Sequence, residues 1–307
     1  MIERLHALLT ERAAPFGLSP AQLLERDAPG GLDQPGRVSA NRHCRLLEAA
    51  DGWIALNLAR EDDREVIPAL TGESGEPWGA LEAFARTLPA AEFRRRAVEL
   101  QLPVAVLGEA APLPLAALDG AHLPRRVVDL SALWAGPLCA ALLARVGAEV
   151  VRVESVRRPD PTPQSSPRLD ALLNGGKRRI ELDLASEAGR AELHALLGDA
   201  DAVVTSARPA ALARMGLEPS RLPHLTWVAI TAHDFADEGA ARVGFGDDCA
   251  VAGGLVRWEG GQPRFLGDAL ADPLTGLEAA TRVLAGGRGL IDIAMARVAA
   301  AYAERLA

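Results

Sequence analysis

The sequence predicts an α/β protein, with a large domain built on a mostly parallel sheet and a smaller α+β domain ahead of it. Three observations carry this. From Arg126 onward, short apolar runs alternate with helical patterns of roughly 10–15 residues, which implies strand–helix–strand crossovers. Before it, strand-like runs flank two helical patterns, and a stretch rich in Pro, Ala and Leu (Ala111 to Pro124) divides the regions. Hydrophobic residues make up 49% of the 307 residues and charged residues 24%, as in a globular chain. At roughly 150 residues per domain, that length accommodates two domains.

Residues 1–37 open with the amphipathic pattern MIERLHALLTER, followed by a loop rich in Pro, Gly and Asp from Ala28 to Gly36. The pattern has neither the basic start nor the continuous apolar stretch of a secretory signal. Residues 38–124 form the small domain and linker. The turn Asp51-Gly52 precedes a strand-like run, Trp53 to Ala59. Helical patterns follow at Pro77 to Thr87 and Ala90 to Leu100, and a second strand, Leu102 to Gly108, closes the unit. Residues 125–307 form the large domain. Strands are expected at Val127 to Ser131, Glu149 to Glu154, Lys177 to Leu184, Asp201 to Ser206 and Thr226 to Ala232. A helix runs from Ala135 to Ala148 with Gly147 ending it, and another from Ser186 to Ala200 behind a Ser cap. Ligands of parallel sheets sit beyond the C-terminal strand ends. The loops after Ser131, Glu154, Ser206 and Ala232 are therefore the places to look.

Composition excludes some classes. Lys plus Arg number 33 against 41 Asp plus Glu, a net charge of −8, which argues against a nucleic-acid partner. No apolar run reaches the roughly 18 residues that span a bilayer, so no membrane partner is expected. Cys44, Cys139 and Cys249 are dispersed, which predicts neither disulfides nor a metal site and fits a cytoplasmic protein. Neither GxSxG nor HExxH occurs, and GFGDD (Gly244 to Asp248) is not the dinucleotide fingerprint.

Three stretches can carry chemistry. In VVDLSALWAGP a strand, a loop and a helix start follow one another, and the free N–H groups suit an anionic ligand, although a plain turn explains the same residues. In NGGKRRIELDL, Lys177, Arg178 and Arg179 form a basic cluster able to meet phosphate or to solvate a strand edge. Arg208 and Arg214 add basic points further on. In GDALADPLTGLEAATRVL, Asp272 and Pro273 read as N-cap and first helical residue. A carboxylate at a helix start is also held ionised, as a nucleophile must be. Asp268 is the nearby alternative.

Together these stretches resemble the class III CoA-transferases, the family of formyl-CoA and carnitine CoA-transferases and α-methylacyl-CoA racemases. VVDLSALWAGPLCAALLARVGAEVVRVE resembles the family's opening. LLNGGKRRIELDL, the segment Asp199 to Leu217, TWVAITA, GDALADPLTGLEAA and GRGLIDIAMARVAAAY follow in the family's order, over roughly Arg126 to Tyr302. The resemblance implies a Rossmann-like large domain that binds coenzyme A, with Asp272 as the catalytic aspartate. It implies CoA contacts at Leu133, Trp134, Ala135, Lys177, Arg178, Ser206, Arg214 and Met215. The family's Asn-Phe pair is Ser206-Ala207 here, and an arginine common after the second strand is Ser155, with Arg157 or Arg158 beside it. Val38 to Asp63 resembles the start of the family's small domain, and LPVAVLG its end. Both precede the large-domain match, so the chain reads as reordered, as by circular permutation.

What the resemblance implies is an enzyme that moves CoA between an acyl-CoA and a carboxylic acid through an aspartyl anhydride and thioester, without metal, as a homodimer. Trp134 and Gly253-Gly254 are expected as wall and N–H donors. A racemase is the alternative, with His233 as the nearby base in place of the family histidine. A CoA-binding protein or subunit without turnover is the other.

Overall fold

The computed structural model describes residues 1–27, 32–120 and 122–307. The first four residues of the expected Ala28–Gly36 loop, and Ala121 of the linker, lie outside them. The chain opens with α1 (Ile2–Ala13) and α2 (Pro20–Leu24). The small unit runs β1 (Cys44–Ala49), β2 (Gly52–Asn57), α3 (Glu61–Glu65), α4 (Ile67–Thr71), α5 (Pro77–Ala85), α6 (Ala90–Glu99) and β3 (Val104–Val106). The large unit runs β4 (Arg126–Leu130), α7 (Ala135–Arg145), β5 (Glu149–Ser155), α8 (Thr162–Ser165), α9 (Pro167–Asn174), β6 (Arg178–Leu182), α10 (Glu187–Gly198), β7 (Ala202–Thr205), α11 (Pro209–Arg214) and β8 (Thr226–Thr231). It ends with α12 (Gly246–Ala252), β9 (Val256–Glu259), β10 (Gln262–Phe265), α13 (Ala271–Leu284), β11 (Leu290–Ala294) and α14 (Met295–Leu306). None of the described helices is long and apolar enough to cross a membrane.

Six parallel strands form one sheet in the order β6-β5-β4-β7-β8-β11. Both faces are covered, so the inner strands are apolar throughout rather than alternating. Val127, Ala202, Val204, Val228 and Ile293 face α7, α13 and α14. Val128, Val151, Val203 and Trp227 face Leu193, Leu197 and Leu212 on the other side. From β4 the chain winds outward to β6, then returns to β7 and winds the other way. The reversal leaves a crevice between the ends of β4 and β7, the usual ligand position in such sheets.

The small sheet, β1-β2-β3, is antiparallel, and its hairpin closes with Ala49 opposite Gly52. Side chains alternate across it. Leu47, Ile54 and Leu56 pack on Trp78, Leu81 and Phe93. Cys44, Leu46 and Ala55 pack the other way, on Val251 of α12 and on Val256 and Phe265 of the β9–β10 hairpin. This second face seats the small unit against the large one. The chain leaving β3 keeps this contact, since Gly108 and Ala110 donate N–H groups to Val251 and Ala252.

The N-terminal helix packs into the large core. Its periodic residues Leu5, Leu9 and Ala13 are buried with Val298, Tyr302 and Leu306 of α14. Buried Arg12 reaches Glu278 of α13 at 2.6 Å. Leu9→Ala is therefore expected to destabilise the whole large unit by about 2–5 kcal/mol. A shift of the denaturant midpoint for the entire transition checks this, and an unchanged midpoint contradicts it.

Candidate active site

The loop from β4 to α7 crosses the crevice and is held from below. Asp129, at the end of β4, is fully buried and accepts the Lys177 ammonium at 2.7 Å. The same ammonium donates to the Pro137 carbonyl at 2.8 Å and to Asn174 Oδ1 at 3.0 Å. Buried Arg152 bonds Asp160 at 2.6 Å and the Ser131 carbonyl at 3.3 Å. Burial acts to raise the Asp129 pKa, but Lys177 and Arg152 outweigh it and hold the carboxylate below its usual range. Asp160 in turn accepts the Leu133 N–H at 3.0 Å. Leu133 is thereby kept in the left-handed region, at φ 66°. Such a conformation is uncommon for a side chain of this size.

This places the expected residues in two groups. Leu133, Trp134, Ala135 and Ser206 come together, because Ala132 donates its N–H to Ser206 Oγ at 2.9 Å across the crevice. Arg214 is exposed at the end of α11, Met215 packs partly into the apolar core beside it, and Arg178 is exposed on the edge strand β6. Lys177 departs from the expectation of a phosphate contact. Its three N–H groups go to three acceptors inside the protein, and its side chain is 1% exposed. Arg157 pairs with Asp183 at 2.8 Å on the surface.

Gly136 and Pro137 start α7 for separate reasons. A side chain at Gly136 would run into Ser131. Pro137 has no N–H, and the first turn of a helix needs none. The first ladder bond is from the Leu138 N–H to the Trp134 carbonyl at 2.8 Å, so the Ala135 and Gly136 N–H groups lie outside the ladder. The Ala135 backbone amide lies on the Asp272 side and favours its ionised form.

Asp272 is not the N-cap of α13. The helix starts one residue earlier, at Ala271, with Leu270 as cap and no side-chain capping bond. A turn at Ala269, φ 44°, accepts the Asp272 N–H at 2.9 Å and brings the helix in early. The carboxylate is thus free of its own helix and meets the N-terminus of α7. Two glycines permit this. A Cβ at Gly276, one turn on, would lie 2.6 Å from the Ala135 carbonyl oxygen. A Cβ at Gly246 would collide with Asp272 Oδ2.

Four carboxylates gather here, and among the described residues three of them accept hydrogen bonds from side chains. Asp268 bonds Arg26 Nε at 2.6 Å. Asp247 accepts the Ala269 N–H at 2.8 Å and Asn41 Nδ2 at 3.1 Å. Asp248 accepts the Phe245 N–H at 3.0 Å and Asn57 Nδ2 at 3.3 Å. Among the described residues Asp272 makes no ion pair. Burial pushes its pKa up to about 7; Arg26 pulls it down, and Asp247 and Asp268 add to the rise. Burial likewise takes Asp247 to about 6 and Asp248 to about 7. Asp247, Asp248 and Arg26 were not legible as site residues in the sequence; only the Asp-Asp pair in a Gly-rich stretch hinted at two of them. Among the described residues no group of three or more His, Cys, Asp or Glu side chains is placed to hold a metal ion.

One other expectation is corrected. Gly253 and Gly254 are not N–H donors to the site, since their N–H groups bond Cys249 and Val251 carbonyls. Gly253 instead lets α14 approach, because a Cβ there would lie 2.4 Å from the Ala300 nitrogen. His233 lines a separate cavity of about 500 Å³ with Arg94, Arg242 and Arg297. Burial, with Arg242 next, lowers its pKa to about 3, and its charged neighbours are Arg242, Glu109 and Arg94.

A model of CoA-transferase family III matches residues 124–301. An acyl-CoA transferase of Fusarium pseudograminearum is 30% identical over 181 residues, 52% of this chain and 40% of that protein. A formyl-CoA:oxalate CoA-transferase of Rhodopseudomonas palustris is 32% identical over 189 residues, 55% of this chain and 42% of that protein. The crystal structure of a CAIB/BAIF family protein from Brucella suis superposes with a TM-score of 0.51 at 28% identity, covering 61% of this chain and 55% of that one. The structure of Rv3272 from Mycobacterium tuberculosis gives a TM-score of 0.53 at 29% identity, covering 63% and 59%. The chain thus spans less than half the length of these curated relatives.

The raised carboxyls have a consequence for stability. Folding retains their protons to higher pH than the unfolded chain, where an Asp titrates near about 3.9. Stability from these groups therefore falls as pH rises from about 4 to 7. Asp248→Asn keeps both acceptor contacts and removes one such titration. Its stability relative to the parent protein is expected to rise over that window in denaturant titrations at several pH values. A difference independent of pH contradicts the assignment.

Proposed function

The chain belongs to CoA-transferase family III, and on that premise we propose that it transfers coenzyme A between carboxylic acids, with the Asp272 carboxylate as nucleophile. The observation that carries the reading is the placement of Asp272. It is lodged on the N-terminus of α7, caps nothing, and has no ion-pair partner among the described residues. A structural aspartate in such a place is ordinarily paired.

The chemistry runs in four balanced steps. The Asp272 carboxylate attacks the thioester carbonyl of an acyl-CoA, the C–S bond breaks, and CoA thiolate leaves an aspartyl–acyl anhydride. The thiolate attacks the aspartyl carbonyl, releasing the first acid as a carboxylate and forming an aspartyl-CoA thioester. A second carboxylate attacks that thioester and expels CoA thiolate, giving a new anhydride. The thiolate then attacks the new acyl carbonyl, which forms the new acyl-CoA and returns Asp272 to its ionised form. Charge develops on a carbonyl oxygen at each attack. The Gly136 N–H at the start of α7 is outside the helix ladder and suits such an oxyanion. Leu133, Trp134, Ala135 and Ser206 line the same crevice and would border the thioester end of CoA. Exposed Arg178 and Arg214, with Met215, are proposed for its nucleotide end. Lys177 would serve from beneath, fixing the loop that meets the ligand. The acyl group and the acceptor acid are left open by these contacts.

Asp272→Asn is expected to reduce CoA exchange between acids by roughly 10³-fold or more, the scale of losing a covalent nucleophile. Gly246→Ala, which crowds the carboxylate, should reduce it too. In the parent enzyme only the ionised carboxylate attacks. The rate at limiting acyl-CoA should therefore rise with pH through an acid limb near pH 7, the value to which burial takes Asp272. Full exchange activity in Asp272→Asn overturns the proposal.

A further inference from the structure

We infer that Arg26, from the N-terminal segment outside the family match, is a positioning residue for the Asp272 carboxylate, held over the site by Asp268 and Trp134. The inference rests on the reading of Asp272 as nucleophile.

The geometry is a clamp. Arg26 comes just after α2 and reaches a loop 242 residues away in the chain. Its Nε donates to Asp268 Oδ2 at 2.6 Å, and a terminal nitrogen donates to Oδ1, so the guanidinium plane is fixed by a two-point pair. The pair is largely shielded, with side-chain exposures of 18% and 13%. The guanidinium carbon lies 5.5 Å from the centroid of the Trp134 ring, which is within cation–π range. These two contacts bracket Asp272. Trp134 caps α7 immediately before Ala135, whose backbone amide favours ionised Asp272, and Asp268 lies one turn's length before Asp272 on the approach to α13.

The charges that face Asp272 make this position consequential. Asp247 faces it from α12 and Asp268 from its own loop, both opposing ionisation. The Cys249 thiol, also on α12, is raised well above its usual range by burial and is neutral. Arg26 is the cation whose field favours the anion. It therefore stabilises the form that attacks and each step that returns the carboxylate. The two-point pair commits the guanidinium to Asp268, so Arg26 acts on Asp272 through its field rather than through a hydrogen bond.

The test uses Arg26→Gln and Arg26→Lys in the full chain, with two readouts. One is the pH dependence of CoA exchange. The other needs no turnover: infrared difference titration of the carboxyl band that Asp272→Asn removes. In Arg26→Gln both midpoints are expected to move up by about one pH unit or more, as on losing a cation near a carboxylate. Arg26→Lys, which keeps the charge but not the fork, should recover part of the shift. An unmoved infrared midpoint in Arg26→Gln overturns the inference. If Arg26→Gln does not fold, an unmoved midpoint in Arg26→Lys does so. A shifted midpoint in a protein that exchanges no CoA upholds the role of Arg26 and removes the transferase reading instead.

Discussion

The approach of α13 to α7 is the constraint on which the site depends. Helices normally meet through side chains, with axes about 8–10 Å apart. At Gly276 there is no side chain, and α13 settles against the Ala135 carbonyl and Leu138. One turn earlier, the same approach delivers Asp272 to the free N–H groups of α7. Gly246 completes the fit by leaving room for one carboxylate oxygen. The helix end favours a negative charge, while burial and two nearby carboxylates disfavour it. The balance leaves Asp272 able to exist in either form near pH 7, as the proposed nucleophilic cycle requires.

A second constraint acts from below. Charges are costly to bury unless they are paired and hydrogen-bonded. Asp129, Lys177, Arg152 and Asp160 meet that condition by satisfying one another and the backbone of the loop above. The network substitutes for a hydrophobic underside and adds direction. Asp160 holds the Leu133 N–H, and Lys177 holds the Pro137 carbonyl, so both ends of the loop are pinned. A basic residue in a sequence motif can thus belong to the scaffold beneath a loop rather than to its exposed face.

The parts that were legible in the sequence share a physical reason. Inner strands of a parallel sheet are buried on both faces, so Val127 to Ser131, Asp201 to Ser206 and Thr226 to Ala232 stand out as apolar runs. Strand β1 is also buried on both sides, but CRLLEA carries charges at its margins and no β-branched residue, and it gives no such signal. The hairpin β9–β10 is short and half exposed. Asp272 was legible through its motif, yet its motif suggests a cap, and only the turn at Ala269 shows that the carboxylate is free. Arg26 was not legible at all. No periodicity or spacing connects it to Asp268, and only the docking of α1 and α2 onto the large core brings the two together.

The most direct measurement is peptide mass spectrometry of the protein after mixing with a panel of acyl-CoAs and trapping with hydroxylamine. The account predicts a hydroxamate on Asp272 with at least one thioester, and none on Asp247, Asp248 or Asp268. Acyl exchange that proceeds with Asp272 unmodified, or with the adduct on another carboxylate, would contradict it.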